Sequence, residues 1–190
     1  MRKLVALTAG SLFLAAVHST AMAGGHVAKI QSYVDSQIRG WVASEELHRA
    51  IYQQNLNHRG LSAADIDNLD QRWRAERRVG GGDLVSSKMN NQLASFLRGI
   101  KAASNGVITE IFVMDNKGLN VGQTNGTGDY MQGDEAKWKK TFSVGSHAVF
   151  IDDVEEEDGI NISQTSLTVA RSNGYSLGAV TIGINVDALK

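Results

Sequence analysis

At Gly106 the sequence changes its period, and that change limits the fold more than any other feature. Upstream, apolar residues recur every three to four positions, the spacing of a helix with one buried face. Downstream they come in short β-branched runs separated by Asn, Asp and Gly, the pattern of strands and tight turns. A chain with its helices gathered first and its strands after them folds as α+β, with an antiparallel sheet.

Val27, Ile30, Val34, Ile38 and Trp41 form one helical stripe, and after a one-residue shift Leu47 and Ile51 continue it. The spacing predicts a single long helix from about His26 to Arg59, weakened at Gly40 and closed at Gly60. Ser62 and Asp65 form a capping-box-like start for a second helix to about Arg78. Gly80-Gly81-Gly82 is a break, and Asp83 is the expected N-cap of a third helix reaching Ala103. The stripe from Val27 to Ile51 exceeds what one small sheet covers. Part of it, near Ile30 to Trp41, is expected to pair with a second copy of the chain or with a receptor, unless the helical hairpin over 61–75 covers it.

After Gly106, Val107 to Met114 reads as a strand. Asp115-Asn116-Lys117-Gly118 turns into a short strand near Val121. Asp134 to Thr141 reads as a short helix, then Ala148 to Val154, Ile160 to Ala170 and Tyr175 to Val186 as strands. Asn173-Gly174 predicts a type I′ hairpin turn. The acidic run from Asp152 to Asp158 lacks calcium-loop spacing and reads as a solvated hairpin.

The N-terminus has the layout of a secretory leader: Arg2 and Lys3, an apolar stretch from Leu4 to Val17, then Ala21-Met22-Ala23. Residues 1–23 are the expected signal peptide and 24–190 a single domain, helical over 24–105 and sheet over 106–190. The chain is then periplasmic or secreted. Without Arg2 and Lys3, 17 basic side chains stand against 20 acidic ones, which does not suit nucleic acid. The absence of cysteine excludes thiol catalysis and c-type haem attachment. His48, His58 and His147 have no obvious paired acid and nucleophile, so no enzyme is expected. Cleavage after Ala23 leaves Gly24-Gly25-His26 at a free terminus. An amine, two deprotonable amides and an imidazole give a square-planar nitrogen set suited to Cu(II) or Ni(II). No other cofactor is required.

The words "IFVMDNKGLNVGQT", "GDYMQGDEAKW", "AVFIDDVEEEDG" and "SLGAVTIGINVD", in this order behind the helices, resemble the extracytoplasmic PAS-like sensor domains called Cache or PDC domains. The resemblance covers about His26 to the end. It implies a long N-terminal helix and helical hairpin packed on a five-stranded antiparallel PAS-like sheet. It also implies binding of a small, carboxylate-bearing metabolite and signalling through a membrane receptor or histidine kinase. Family members usually lie between two membrane spans and feed an output module. Here a cleavable leader replaces the first span and nothing follows the last strand, so the implied form is a free-standing periplasmic sensor or accessory module. The alternative is a structural module that forms a homodimer or docks on a receptor through its long helix, without a ligand.

In such a sheet a ligand sits on the face away from the long helix. Gln164 and Ser166 share a strand face with Ile160 and Ile162, Asp153 ends the adjacent strand, and Tyr130 and Trp138 lie in the segment that would roof the pocket. Trp73 and Arg77, four apart on the second helix, form a candidate carboxylate grip, against a solvated basic face with Trp73 packed inward.

Overall fold

The computed structural model describes residues 20–190, so most of the expected leader, residues 1–19, lies outside the described residues. The long helix is not one rod. α1 (Thr20–Tyr33) passes through a π-helical turn (Val34–Ile38) into α2 (Arg39–Val42), and α3 (Glu45–His58) starts afresh after Ala43. Ser44 takes an extended conformation and caps α3 by accepting the Leu47 amide. That corner, not Gly40, is where the stripe shifts phase.

α4 (Ala63–Arg78) opens with the expected capping box between Ser62 and Asp65. The predicted third helix is two, α5 (Asp83–Met89) and α6 (Gln92–Ala103). Gly82, not Asp83, precedes α5 as its N-cap and offers no side chain. Glu76 of α4 supplies the missing acceptor, taking the Val85 amide at 2.9 Å. Asn91 separates the two helices. Its carbonyl caps α6 at Ala94, and its amide group donates to the Val121 carbonyl at 2.8 Å, fixing α6 on the sheet.

The strands are β1 (Ile108–Met114), β2 (Asn120–Gln123), β3 (Val149–Glu157), β4 (Ile160–Ala170) and β5 (Ser176–Asn185), with α7 (Ala136–Lys139) between β2 and β3. They form one antiparallel sheet in the order β2-β1-β5-β4-β3, a PAS-like arrangement with β5 at its centre. The β4–β5 connection is a hairpin, but only Gly174 has positive φ there, so the turn is not type I′. The primed turn is instead at Asp158-Gly159 between β3 and β4, where φ is +51° and +79°.

One face of the sheet carries Ile111, Val113, Leu167, Val169, Val180, Ile182 and Ile184 against Ile30, Val34, Ile38, Val42, Leu47 and Ile51. The helical stripe is therefore buried within the chain: Ile30, Val34, Ile38, Leu47 and Ile51 have no exposed surface. This overturns both expectations for it. The sheet covers it, while α4 packs elsewhere, and only Val27 stays 41% exposed at its end. Burial of this row accounts for helices that single-turn caps alone would not hold. No helix among the described residues is long and apolar enough to cross a membrane.

Candidate functional site

The other face of the sheet begins as an apolar floor and ends as an acidic cleft. Phe112, Met114 and Ala179 are covered by Trp138 and Phe142, whose rings stack at 4.8 Å. Trp138 Nε1 donates to the Asp115 carbonyl at 3.3 Å, which fixes the ring over the floor. Beside it the hydroxyls of Ser166 and Thr181 meet at 2.9 Å, buried and mutually satisfied. Trp138 and Ser166 therefore fill and floor this face and leave its centre closed.

The opening lies further along the strands. A cleft of about 330 Å³ is bounded by α7 and by β3 and β4. A row of residues in register across four strands runs into it: Glu110 on β1, Gly183 on β5, Gln164 on β4 and a bulge on β3, of which Gln164 and the bulge line the cleft. Asp152 and Asp153 together oppose Gln164, because pairing steps from Ile151–Thr165 to Val154–Ser163. The Asp152 carbonyl, displaced from the ladder, accepts the Ser163 hydroxyl at 2.7 Å. Such bulges re-aim side chains next to binding sites. Here both carboxylates border the cleft.

Gly183 is required by this row. A Cβ there would overlap Thr109 Oγ1 and sit 2.8 Å from Glu110 Cγ. With none, Glu110 reaches over the central strand and accepts from Gln164 Nε2 at 3.0 Å. Burial pushes the Glu110 carboxyl above the usual range, an effect that the Gln164 bond and Lys137 oppose and Glu157 reinforces. Around the cleft stand Glu135, Asp152, Asp153, Glu155 and Glu157, with Lys137 the one lining cation. Lys137 already pairs with Glu135 at 2.9 Å. The arrangement attracts a cation and offers carboxylate and amide oxygens to an ammonium group.

The predicted site residues thus separate into three places. Gln164 and Asp153 line the cleft, and Trp138 and Ser166 form the closed floor beside it. Tyr130 does not roof this face: it is buried against Trp73, rings 5.5 Å apart, in a second core with Val85 and Leu119. α4 acts there as a clamp on the segment after β2. Trp73 Nε1 donates to the Thr127 carbonyl at 3.0 Å, Arg77 to Gly126, and Asp70 accepts the Tyr130 and Met131 amides. Trp73 and Arg77 have loop carbonyls as partners and are not part of the cleft.

Sequence reasoning missed Glu110, because its partner is 54 residues away. It passed over Asp152, since a charge run normally faces water and a bulge has no sequence mark. His58 has an acid after all: Nδ1 lies 2.8 Å from Asp115 Oδ2. Asp115 also accepts Gln54 Nε2 at 3.0 Å and the Lys117 and Leu119 amides, and Lys88 Nζ donates to Gln54 Oε1 at 2.7 Å. Burial holds the Lys88 ammonium below its ordinary pKa, with Asp115 opposing the shift. This network ties α3 and α5 to the β1–β2 turn. Gly24, Gly25 and His26 lie in α1, which runs through the expected cleavage point in the unprocessed chain.

No family profile matches the chain, and no curated protein matches it. Solved structures that it is similar to are sensory ligand-binding domains. One is the ligand-binding domain of the Pseudomonas aeruginosa PAO1 amino acid chemoreceptor PctC in complex with GABA: 12% identity, 89% of this chain, 60% of that one, TM-score 0.40. Another is the extracellular domain of the putative histidine kinase vpHK1S-Z8: 13% identity, 89% and 55% coverage, TM-score 0.46. A third is the sensor domain of the Vibrio cholerae histidine kinase DctB: 10% identity, 89% and 58% coverage, TM-score 0.35. The chain spans less than two thirds of the length of each.

Proposed function

We propose that this protein is an extracytoplasmic small-molecule-binding sensor or accessory module that acts through a partner receptor, and that its ligand carries an ammonium group. The observation that supports this reading is the row Glu110–Gly183–Gln164–Asp152/Asp153, which runs across four strands into a cleft with one cation against five carboxylates. Lys137 at the rim suits the carboxylate of a zwitterionic metabolite, so an amino-acid-like ligand fits both ends. The leader layout supports an extracytoplasmic location. The reading as a helix-docked homodimer loses its main support, because the helical stripe is covered by the chain's own sheet.

The test is a thermal-shift series on the processed protein with primary amines, amino acids and simple carboxylates. Ligands that bind only the folded state raise its apparent stability. Amine-bearing compounds are expected to raise Tm, and Asp153→Asn and Gln164→Leu to remove the shift while the variants stay folded. Stabilisation by amine-free carboxylates that Asp153→Asn and Gln164→Leu abolish, or a full amine shift retained in both variants, contradicts the reading.

A further inference from the structure

We infer a second ligand site, separate from the acidic cleft: the groove between α3 and the β4–β5 turn takes a small planar carboxylate, held by Arg171 and His48.

The groove has two adjoining lobes of about 610 Å³ and 280 Å³, and Ala43, Ala170, Arg171 and Ser172 line both. Gln164 and Arg171 are seven residues apart on one extended segment, roughly 23 Å at the rise of a strand, so the two sites do not overlap. The groove opens where the long helix turns at Ala43, and the β4–β5 turn carries Arg171 across to α3.

Its electrostatics are opposite to those of the first cleft. Arg39 is paired with Asp35 at 2.7 Å and Arg49 with Glu46 at 2.6 Å. Arg171 has no carboxylate partner among the described residues. It lies 4.9 Å over the ring of Tyr52, itself 40% exposed. Stacking on the ring holds the guanidinium in place and leaves its N–H fork for an anion. A planar carboxylate matches that fork with two parallel bonds.

The second observation is His48. Its side chain lines the larger lobe; the Val42 carbonyl is within reach of the ring, while Nε2 is buried and has no partner at hydrogen-bond geometry. A buried polar atom without a partner costs free energy that a ligand can recover. The charged groups that line the larger lobe with His48 are Glu45 and Arg49 on its own helix and Arg171 from the turn, while Arg39 from α2 and His147 from the loop before β3 line the smaller lobe. Burial lowers the His48 pKa, with Arg171 acting the same way and Glu45 and the Val42 carbonyl against it. The imidazole is therefore neutral at neutral pH. A bound carboxylate favours the protonated ring, so binding takes up a proton and tightens as pH falls.

Titration of the processed protein with benzoate, alongside inorganic phosphate, tests this. Saturable benzoate binding is expected, weakened about tenfold by Arg171→Ala and partly restored by Arg171→Lys. It is expected to be tighter at about pH 6 than at about pH 8, a dependence that His48→Gln removes. Gln164→Leu should leave it unchanged. Failure of the folded protein to bind benzoate saturably overturns the site, as does unchanged affinity in Arg171→Ala. Phosphate bound more tightly than benzoate overturns the assignment to a carboxylate.

Discussion

Glu110 on β1 and Gln164 on β4 are bonded at 3.0 Å across β5, the strand that lies between them in the sheet. Side chains two strands apart ordinarily meet only over an intervening residue. Here that residue is Gly183, in register with both. The proposed ligand cleft depends on this contact, because it holds in place the Gln164 side chain that lines the cleft.

Gly183→Ala is therefore expected to destabilise the fold by about 1–3 kcal/mol, the usual cost of overpacking. The added methyl overlaps Thr109 on the strand and pushes Glu110 away from Gln164. Chemical denaturation of parent and variant measures it. An unchanged midpoint would mean that the row is looser than its register suggests.

Glu110→Gln should stabilise the protein in a pH-dependent way. The folded-state pKa of Glu110 is raised by burial, so its favourable contribution is complete below the unfolded value of 4.5 and is lost as pH rises through the folded value. Gln keeps an acceptor for Gln164 without the buried charge. The Tm difference, variant minus parent, is expected to be near zero at about pH 4 and positive at about pH 7.

Asp115→Ala removes the acceptor shared by His58, Gln54 and the Lys117 and Leu119 amides. Breaking a buried charged network by deleting one partner costs about 3–5 kcal/mol. Loss of cooperative unfolding by circular dichroism is the expected outcome, with Asp115→Asn less severe.

A chain processed after Ala23 is expected to bind one equivalent of Cu(II) through Gly24, Gly25 and His26. Cleavage within α1 leaves the Gly25 and His26 amides in the first helical turn, where amides have no intrahelical acceptor. A visible band should appear on titration, fade at acid pH as the nitrogens reprotonate, and be absent in His26→Ala.

What the sequence made legible was local. The capping box at Ser62, the Asp115 to Gly118 turn and the alternation along β4 each follow from neighbouring residues. The break at Ser44 was less visible, because a stripe that shifts by one residue fits a bent rod as well as two helices. Asn173-Gly174 marked a hairpin correctly but not its turn type, and the primed turn fell on Asp158-Gly159 inside a charge run. The cleft was the least legible part. Asp153 and Gln164 could be chosen from their strands, but Glu110 enters through a glycine on a third strand. Asp152 enters through an inserted residue that only the pairing reveals. Trp73 and Arg77 looked like a ligand grip because helical spacing shows which side chains are adjacent, not which carbonyls lie opposite them.

The central claim is that an ammonium-bearing ligand occupies the cleft over Gln164. Amide chemical-shift mapping with a stabilising amine tests it most directly. Perturbations are expected to centre on Asp152, Asp153, Gln164 and Gly183. Perturbations centred instead on Thr127 and Tyr130 beside Trp73 and Arg77, with the cleft strands unmoved, would contradict it.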